Sequence, residues 1–422
     1  DFFRDPALRR LIALALADNP NLRAAVLNVE KTRAQYDIQR DVLIPQPDVT
    51  AGGSRQRQAF GFGGTGGAFT YSQYSVNVGL ASYELDLFGR VRSEAQAALE
   101  TYFSTIAARR GAQIALVAQV ATAYLSEEEA AAELAVARRT VQAARSAYDL
   151  TRANYKGGVL SEIDLDTAQA ELQAARITVA AYEQQWAEAS DNVVLLVGRP
   201  VPEALTTPRP FDPHACLAGI PAGLPSDLLE QRPDIVAAEH ALKGANADIG
   251  AARAALFPSI TLTGSYGTSS TTLRSLFAPG SEAWNFSPQI AWPIFLPGPA
   301  LSALRSVKSA ELIAAANYQL AVETAFREVA DALAVRATVA MQLDANRKFE
   351  RAVAHTFALT LAGYRKGVDS LLDVVSARQT LDSARLDLIQ SEYARLFNLI
   401  TLYQDLGGGW TRKTVRPARP AH

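Results

Sequence analysis

One cysteine, Cys216, is present in 422 residues, and no run of 18 or more apolar residues occurs anywhere. The first absence excludes an internal disulfide and a zinc knuckle. The second excludes an obvious transmembrane helix. Excess charge of one sign is also missing: 41 basic residues face 43 acidic ones, which leaves no basic field for a nucleic acid. Histidine is scarce. His214, His240, His355 and His422 are scattered, with no carboxylate spacing that suggests a metal or a catalytic dyad, so they read as surface or packing residues and neither a catalytic group nor a cofactor is expected. The start, Asp1-Phe-Phe-Arg-Asp-Pro, lacks the order of a signal peptide, so the chain reads as cytosolic or as already relieved of its leader.

What is present is a repetition. Tyr155-Lys-Gly-Gly-Val-Leu-Ser-Glu-Ile-Asp164 matches Tyr364-Arg-Lys-Gly-Val-Asp-Ser-Leu-Leu-Asp373 at an offset of 209 (364 minus 155), and the match continues through Ala168/Ala377, Leu172/Leu381 and Arg176/Arg385. A second anchor pairs Val-Leu-Ile-Pro45 with Ala-Leu-Phe-Pro258, at an offset of 213 (258 minus 45). The chain is an internal duplication. Its parts are expected to be a first repeat over 1–197, a proline-rich linker over 198–233 with one short helix at Ser226 to Glu230, a second repeat over 234–410, and a disordered tail over 411–422.

Each repeat reads helix, strand, strand, long helix, turn, helix. Helices are expected at Asn21 to Leu43, Arg90 to Tyr155 and Ser161 to Val197, then at Asp234 to Leu256, Leu301 to Tyr364 and Ser370 to Leu406. The two long ones would each reach roughly 100 Å at 1.5 Å per residue. The two shorter helices of a repeat together match that length, which suits either a cylinder wall or a soluble coiled-coil rod. Strands are expected near Val49 to Arg57, Tyr74 to Leu87, Ser259 to Thr268 and Trp284 to Phe295. Gly61 to Gly67 superficially suggests a phosphate loop, but it has no following lysine and helix, and it reads as a hairpin tip.

The strands favour the wall. Trp284, Phe286, Pro288, Ile290, Trp292 and Ile294 hold the even positions of one strand, with Asn285, Ser287 and Gln289 between them. Ile260, Leu262, Gly264 and Tyr266 alternate in the same way, as do Tyr74, Val76, Val78 and Leu80 until the apolar register switches near Ser82. A strand of about 10 residues with one apolar face and aromatic ends fits a transmembrane β-barrel. Tyr74, Trp284 and Trp292 are the expected interface aromatics. Four strands cannot close a barrel, so several chains must pool them.

Five strings, Tyr83-Glu-Leu-Asp-Leu-Phe-Gly-Arg90, Leu224-Pro-Ser-Asp-Leu-Leu-Glu-Gln-Arg-Pro-Asp-Ile235, Ile249-Gly-Ala-Ala-Arg-Ala-Ala-Leu-Phe-Pro-Ser-Ile260, Phe326-Arg-Glu-Val-Ala-Asp-Ala-Leu333 and Leu406-Gly-Gly-Gly-Trp410, are similar to those of the TolC family of outer-membrane channels, in its OprM-like branch. The resemblance implies an α+β membrane protein in which four transmembrane β-strands per chain are pooled into a trimeric twelve-stranded barrel, continued by a long α-helical periplasmic barrel. It implies a passive exit duct of a tripartite efflux pump, not an enzyme, lodged in outer-membrane lipid and working with a periplasmic adaptor and an inner-membrane transporter. A duct for protein secretion or metal ions, and a soluble helical scaffold, are the alternatives. Relatives of this branch carry a lipidated N-terminal cysteine; none stands here, so the start reads as trimmed.

The repeated turns have two readings. Gly158 and Gly367 end helices, and Ser161-x-x-Asp164 and Ser370-x-x-Asp373 fit capping boxes with aspartate in place of glutamate. Alternatively, Asp369, Leu372, Asp373 and Ser376 fall at steps of three and four, so symmetry would repeat them as rings around a passage. The resemblance implies a gate here, with Tyr364 and Asp164 at the positions of a tyrosine-to-aspartate link, although Ser376 stands where relatives carry an acid. The turn residues Gly158, Val159, Ser161, Gly367, Val368 and Ser370 are the expected docking tip for the adaptor.

Overall fold

The computed structural model describes residues 2–62, 65–202, 205, 231–292 and 298–408. The expected short helix at Ser226 to Glu230, Cys216, His214, His422, Trp410 and the tail over 411–422 lie outside the described residues. Helix α1 (Pro6–Asp18) opens on Asp5, whose carboxylate accepts the Ala7 and Leu8 amides at 2.6 and 3.3 Å, with proline at the first helical position, where no amide is needed. Asn19 ends it and its side chain accepts the Leu22 amide at 3.0 Å, so that α2 (Pro20–Asp41) follows at once. The chain then runs through β1 (Asp48–Phe62), β2 (Thr65–Glu84), α3 (Arg90–Lys156), α4 (Glu162–Val197), α5 (Pro233–Ala254), β3 (Ser259–Ser270), β4 (Glu282–Ala291), α6 (Gly298–Arg365) and α7 (Leu371–Asp405).

The two long helices hold 67 and 68 residues, about 100 Å each. Alanine makes α3 packable: Ala107, Ala118, Ala121, Ala123, Ala130, Ala137 and Ala144 are all buried, and small side chains let neighbouring helices approach closely.

Two compact units divide the chain. One comprises residues 1–26, 108–235 and 321–422, the other 27–107 and 236–320. The first has a core of Leu8, Leu11, Leu116, Val120, Tyr124, Leu125, Val193, Val197, Tyr393, Leu396 and Ile400. Burying a side chain of this size contributes about 1.5–3 kcal/mol, so these residues hold α1 against the middle of α3, the end of α4 and the second half of α7.

The second unit contains the sheet. Its four strands are antiparallel in the order β1-β2-β3-β4, leaving β1 and β4 as edges. β1 and β2 are longer than the sequence suggested and stay paired as far as Phe62 and Thr65, so most of the glycine run forms ladder. β2 ends at Glu84 rather than Leu87, and β4 ends at Ala291; the expected continuation to Phe295 lies outside the described residues. The switch of apolar register near Ser82 has a structural cause. Leu80 pairs with Gly264 but Tyr83 pairs with Leu262, so β2 carries one extra residue there, a β-bulge that changes which face each side chain meets.

Candidate functional site

The sheet carries one exposed apolar face. The pairs Val49↔Val78, Val78↔Tyr266 and Tyr266↔Trp284 put all four side chains on one face, and Phe286 and Ile290 follow two and six positions after Trp284. They are left open: Val49 is 72% exposed, Trp284 76% and Ile290 68%. Contiguous apolar exposure of this kind marks a surface that meets something other than water. Of the expected interface aromatics, Trp284 stands within β4 near its start, and Trp292 lies just beyond the other end, where its indole N–H donates to the Leu256 carbonyl at 3.3 Å. Tyr74 lies over Gly53, where a Cβ would come within 3.0 Å of the ring, so the glycine leaves room for the aromatic.

The helix-to-helix turns repeat bond for bond. Gly158 donates to the Tyr155 carbonyl and Gly367 to that of Tyr364, while Val159 donates to Asn154 and Val368 to Gly363, all at 3.0 Å. The glycines have φ of 74° and 75°, the left-handed region that a side chain disfavours. Next, the Ser161 amide donates to Asp164 Oδ2 at 3.0 Å and the Asp164 amide to Ser161 Oγ at 3.2 Å; at the second turn the corresponding distances are 2.9 and 3.2 Å. Both are complete capping boxes. Bonds from the serine hydroxyl, and then the serine amide, hold Asp164 and Asp373 below the ordinary carboxylate range, so both are charged at neutral pH.

Capping is therefore part of what both aspartates do, and it uses only Oδ2 in each. The face expected to carry Asp369 needs correction, because α7 begins at Leu371 with Ser370 as its cap and Asp369 precedes both. Its carboxylate folds back over Gly363, where a Cβ would overlap it. Leu372, Asp373 and Ser376 remain on the first turns of α7, all exposed. Tyr364 is half-buried, and among the described residues of one chain no hydrogen bond joins it to Asp164. The valines of the turns are open to solvent, Val159 at 74% and Val368 at 79%.

Sequence reasoning missed where the five strings meet. Arg232, 8% exposed, donates to the Asp405 carbonyl at 2.9 Å and contacts Asp234 and Glu328 at 2.7 Å each, which joins two of the strings and the residue just before a third at one guanidinium. Beside it, burial and then the charge of Glu328 push the Asp405 carboxyl up to about 6. The remaining two strings meet where Phe88 stacks on Phe257, with centroids 4.8 Å apart and an 11° angle. Arg90 braces the β2–α3 connection there, bonding Glu84 of β2 at 2.5 Å and Glu94 of α3 at 2.6 Å. A third junction centres on Glu133, 2% exposed, which accepts Gln185 of α4 on one oxygen and Gln390 of α7 on the other, at 3.3 and 3.1 Å. One turn away, burial and then Glu133's charge push Glu129 up to about 7. Among the described residues no cluster of three or more histidine, cysteine or acidic groups suits a metal. His240 pairs with Glu100 at 2.6 Å.

The family model for outer membrane efflux protein matches residues 11–199 and 224–408. The toluene efflux pump outer membrane protein TtgC of Pseudomonas putida is 44% identical over 413 residues, which span 98% of this chain and 85% of that protein. A crystal structure of a membrane protein from Pseudomonas aeruginosa is similar with a TM-score of 0.91 at 39% identity, covering 97% of this chain and 92% of the other. The open state of the Neisseria gonorrhoeae MtrE outer membrane channel is similar with a TM-score of 0.88 at 40% identity, covering 99% and 92%. With two matched segments that take in both repeats and relatives that span nearly its whole length, the chain belongs to the outer membrane efflux protein family of TolC-type channels.

Proposed function

We propose that this protein is the outer-membrane exit duct of a tripartite efflux pump, a passive channel for small molecules fed by an inner-membrane transporter through a periplasmic adaptor. The observation that carries the reading is the open four-stranded sheet with one exposed apolar face. Unpaired backbone at a free edge costs several kcal/mol per group in hydrocarbon, so β1 and β4 must be paired by other copies before the sheet enters a bilayer. Three copies supply twelve strands, above the practical minimum of about eight for a closed barrel. All four strand-to-helix connections leave one end of the sheet, which assigns that end to the periplasm and the β1–β2 hairpin to the outside.

The repeated turns dock the adaptor in this reading. A Schellman turn normally covers its outermost residue with an apolar neighbour. Val159 and Val368 instead stay exposed, and each sits between a left-handed glycine and a capping serine, a rigid small apolar knob suited to a partner's groove. The same turns narrow the passage. Leu372 supplies an apolar ring and Asp373 a charged one, with Asp373 Oδ1 left to face the passage while Oδ2 caps the helix. Tyr364 then meets Asp164 through that carboxylate's free oxygen when helix pairs are brought together. Cysteine crosslinking from Val159 or Val368 to the adaptor tests the docking assignment: strong crosslinks are expected there, and crosslinks from the 198–233 segment with none from the valines would reverse it.

A further inference from the structure

The β1–β2 hairpin outgrows the sheet it belongs to. β3 ends at Ser270, opposite Tyr74, but β1 and β2 stay paired from Gly53↔Tyr74 to Phe62↔Thr65. At about 3.4 Å per residue, residues 65–73 carry the ladder about 30 Å past that level.

One face of this extension continues the apolar face of the sheet. Val49, Ala51 and Gly53 pair with Val78, Val76 and Tyr74, so the odd-numbered positions of β1 share the side that bears Tyr266, Trp284 and Phe286. Beyond the Tyr74 ring, the next two side chains on that side are Arg55 and Arg57, opposite Ser72 and Thr70. Both arginines are exposed, and among the described residues neither takes part in an ion pair. No acidic residue occurs between Asp48 and Glu84. The β3–β4 connection adds Arg274, also exposed, and the carboxylate on that end is Glu282, opposite Thr268. Read outward, the face passes from aliphatic to aromatic to cationic.

That sequence of chemistries fits the depth profile of a membrane surface, with aromatic rings at the headgroup level and long cationic side chains beyond them. Height then selects the lipid. For strands tilted by about 45°, Arg55 and Arg57 stand about 5 and about 10 Å above the Tyr74 level. The headgroup layer of an ordinary phospholipid bilayer is only about 5–8 Å deep on each side, so the backbone at Arg57 stands above it, and headgroups that extend higher present anions at the level of both arginines. Guanidinium groups are suited to two-point bonding of phosphate.

We propose that Arg55 and Arg57 bind phosphate groups on the saccharide of an anionic phosphoglycolipid in the outer leaflet, which fixes the hairpin and sets the depth of the barrel. The proposal rests on the reading that the sheet spans the outer membrane. Arg55 and Arg57 act as a pair on one strand face, so a single long headgroup can engage both.

The test uses the full chain in detergent, titrated with phosphorylated rough-type lipopolysaccharide, with the same material after dephosphorylation, and with phosphatidylglycerol. Each arginine near an anionic lipid surface contributes on the order of fivefold in affinity. Replacing both (Arg55→Ser with Arg57→Ser) is expected to weaken binding of the phosphorylated glycolipid by about tenfold or more and to leave binding of the dephosphorylated form unchanged. The charge-matched control, Arg152→Ser with Arg351→Ser on α3 and α6, is expected to bind like the parent. Equal binding by the double variant overturns the proposal, and so does an equally large loss toward phosphatidylglycerol, which would mean general attraction to anionic lipid. Conductance in planar phosphatidylcholine bilayers, recorded for the same proteins, keeps the two readings apart. Normal channels from the double variant leave the duct reading standing whichever way the glycolipid result falls, whereas absence of channels from every variant and the parent contradicts the duct itself, and this proposal falls with it.

Discussion

Arg232 Nη1 donates to the backbone carbonyl of Asp405 at 2.9 Å while Nη2 lies 2.7 Å from a carboxylate oxygen of Glu328. The first residue of α5 follows Arg232 directly, Glu328 is on α6 and Asp405 ends α7, so one side chain ties three helices together. Asp234 and Glu328 are 48% and 37% exposed, so water takes over part of their charge, but the Asp405 carbonyl loses its donor; a hydrogen bond to a charged group is worth about 1.5–3 kcal/mol. Arg232→Met is therefore expected to destabilise the protein by about 2 kcal/mol, measured by thermal or denaturant unfolding in detergent. A loss under about 0.5 kcal/mol, the size of an ordinary surface substitution, would mean the junction is held by other contacts.

Glu129 gives a pH-dependent prediction with a definite sign. Its folded carboxyl is raised to about 7 by burial and by Glu133, so the folded state favours the protonated form. Stability from this group is full below the ordinary carboxyl range near 4.5 and is lost as pH climbs through about 7. Glu129→Gln imitates the protonated form. It is expected to raise the melting temperature at pH 8, by the equivalent of about 1 kcal/mol after solvent screening, and to change little at pH 5. An equal effect at both values would mean the residue acts through packing alone.

Asp373→Asn separates cap from ring. The asparagine carbonyl still accepts the Ser370 amide, now bonded at 2.9 Å, but the charge is gone. Unfolding is expected to stay within about 0.5 kcal/mol of the parent, with lower cation selectivity in planar bilayers. A large loss of thermal stability with unchanged selectivity would assign Asp373 to capping only.

Gly367→Ala probes the turn. At φ of 75° a Cβ costs about 1–2 kcal/mol, and nothing lies within 4 Å of where it would point. A stability loss of that size, with weaker adaptor binding through a displaced Val368, is the expected result. Weaker binding without any loss of stability would point to a direct contact at the glycine.

Much of the architecture was legible because it is written in local periodicity. The long helices are proline-free between their ends, and the bulge in β2 showed itself as a switch of apolar register near Ser82. What was misread has a physical reason in each case. The outer half of β1, with Ser54, Gln56 and Gln58 alternating with Arg55, Arg57 and Ala59, is polar or small on both faces, so alternation gives no sign that the strand continues to Phe62. Asp369 has helical spacing to Asp373, but Ser370 caps the helix, and spacing counted through a cap places the residue wrongly. The five family strings were visible, yet nothing local says that Arg232 reaches Glu328 or that Phe88 stacks on Phe257; those pairings exist only after folding. Alternation along β4 assigns Trp284 a face from the sequence alone, whereas Arg55 and Arg57 acquire meaning only once the ladder shows which face they share.

The central claim is that several copies of this chain close one barrel from their open sheets. Light scattering of the purified protein in detergent, corrected for bound detergent and read beside its circular dichroism, tests it most directly. The account predicts a stable particle with the mass of three 45.3 kDa chains and an intact β signal. A monodisperse single chain with the same β signal would contradict it, because the edges of β1 and β4 would then be stable without a partner.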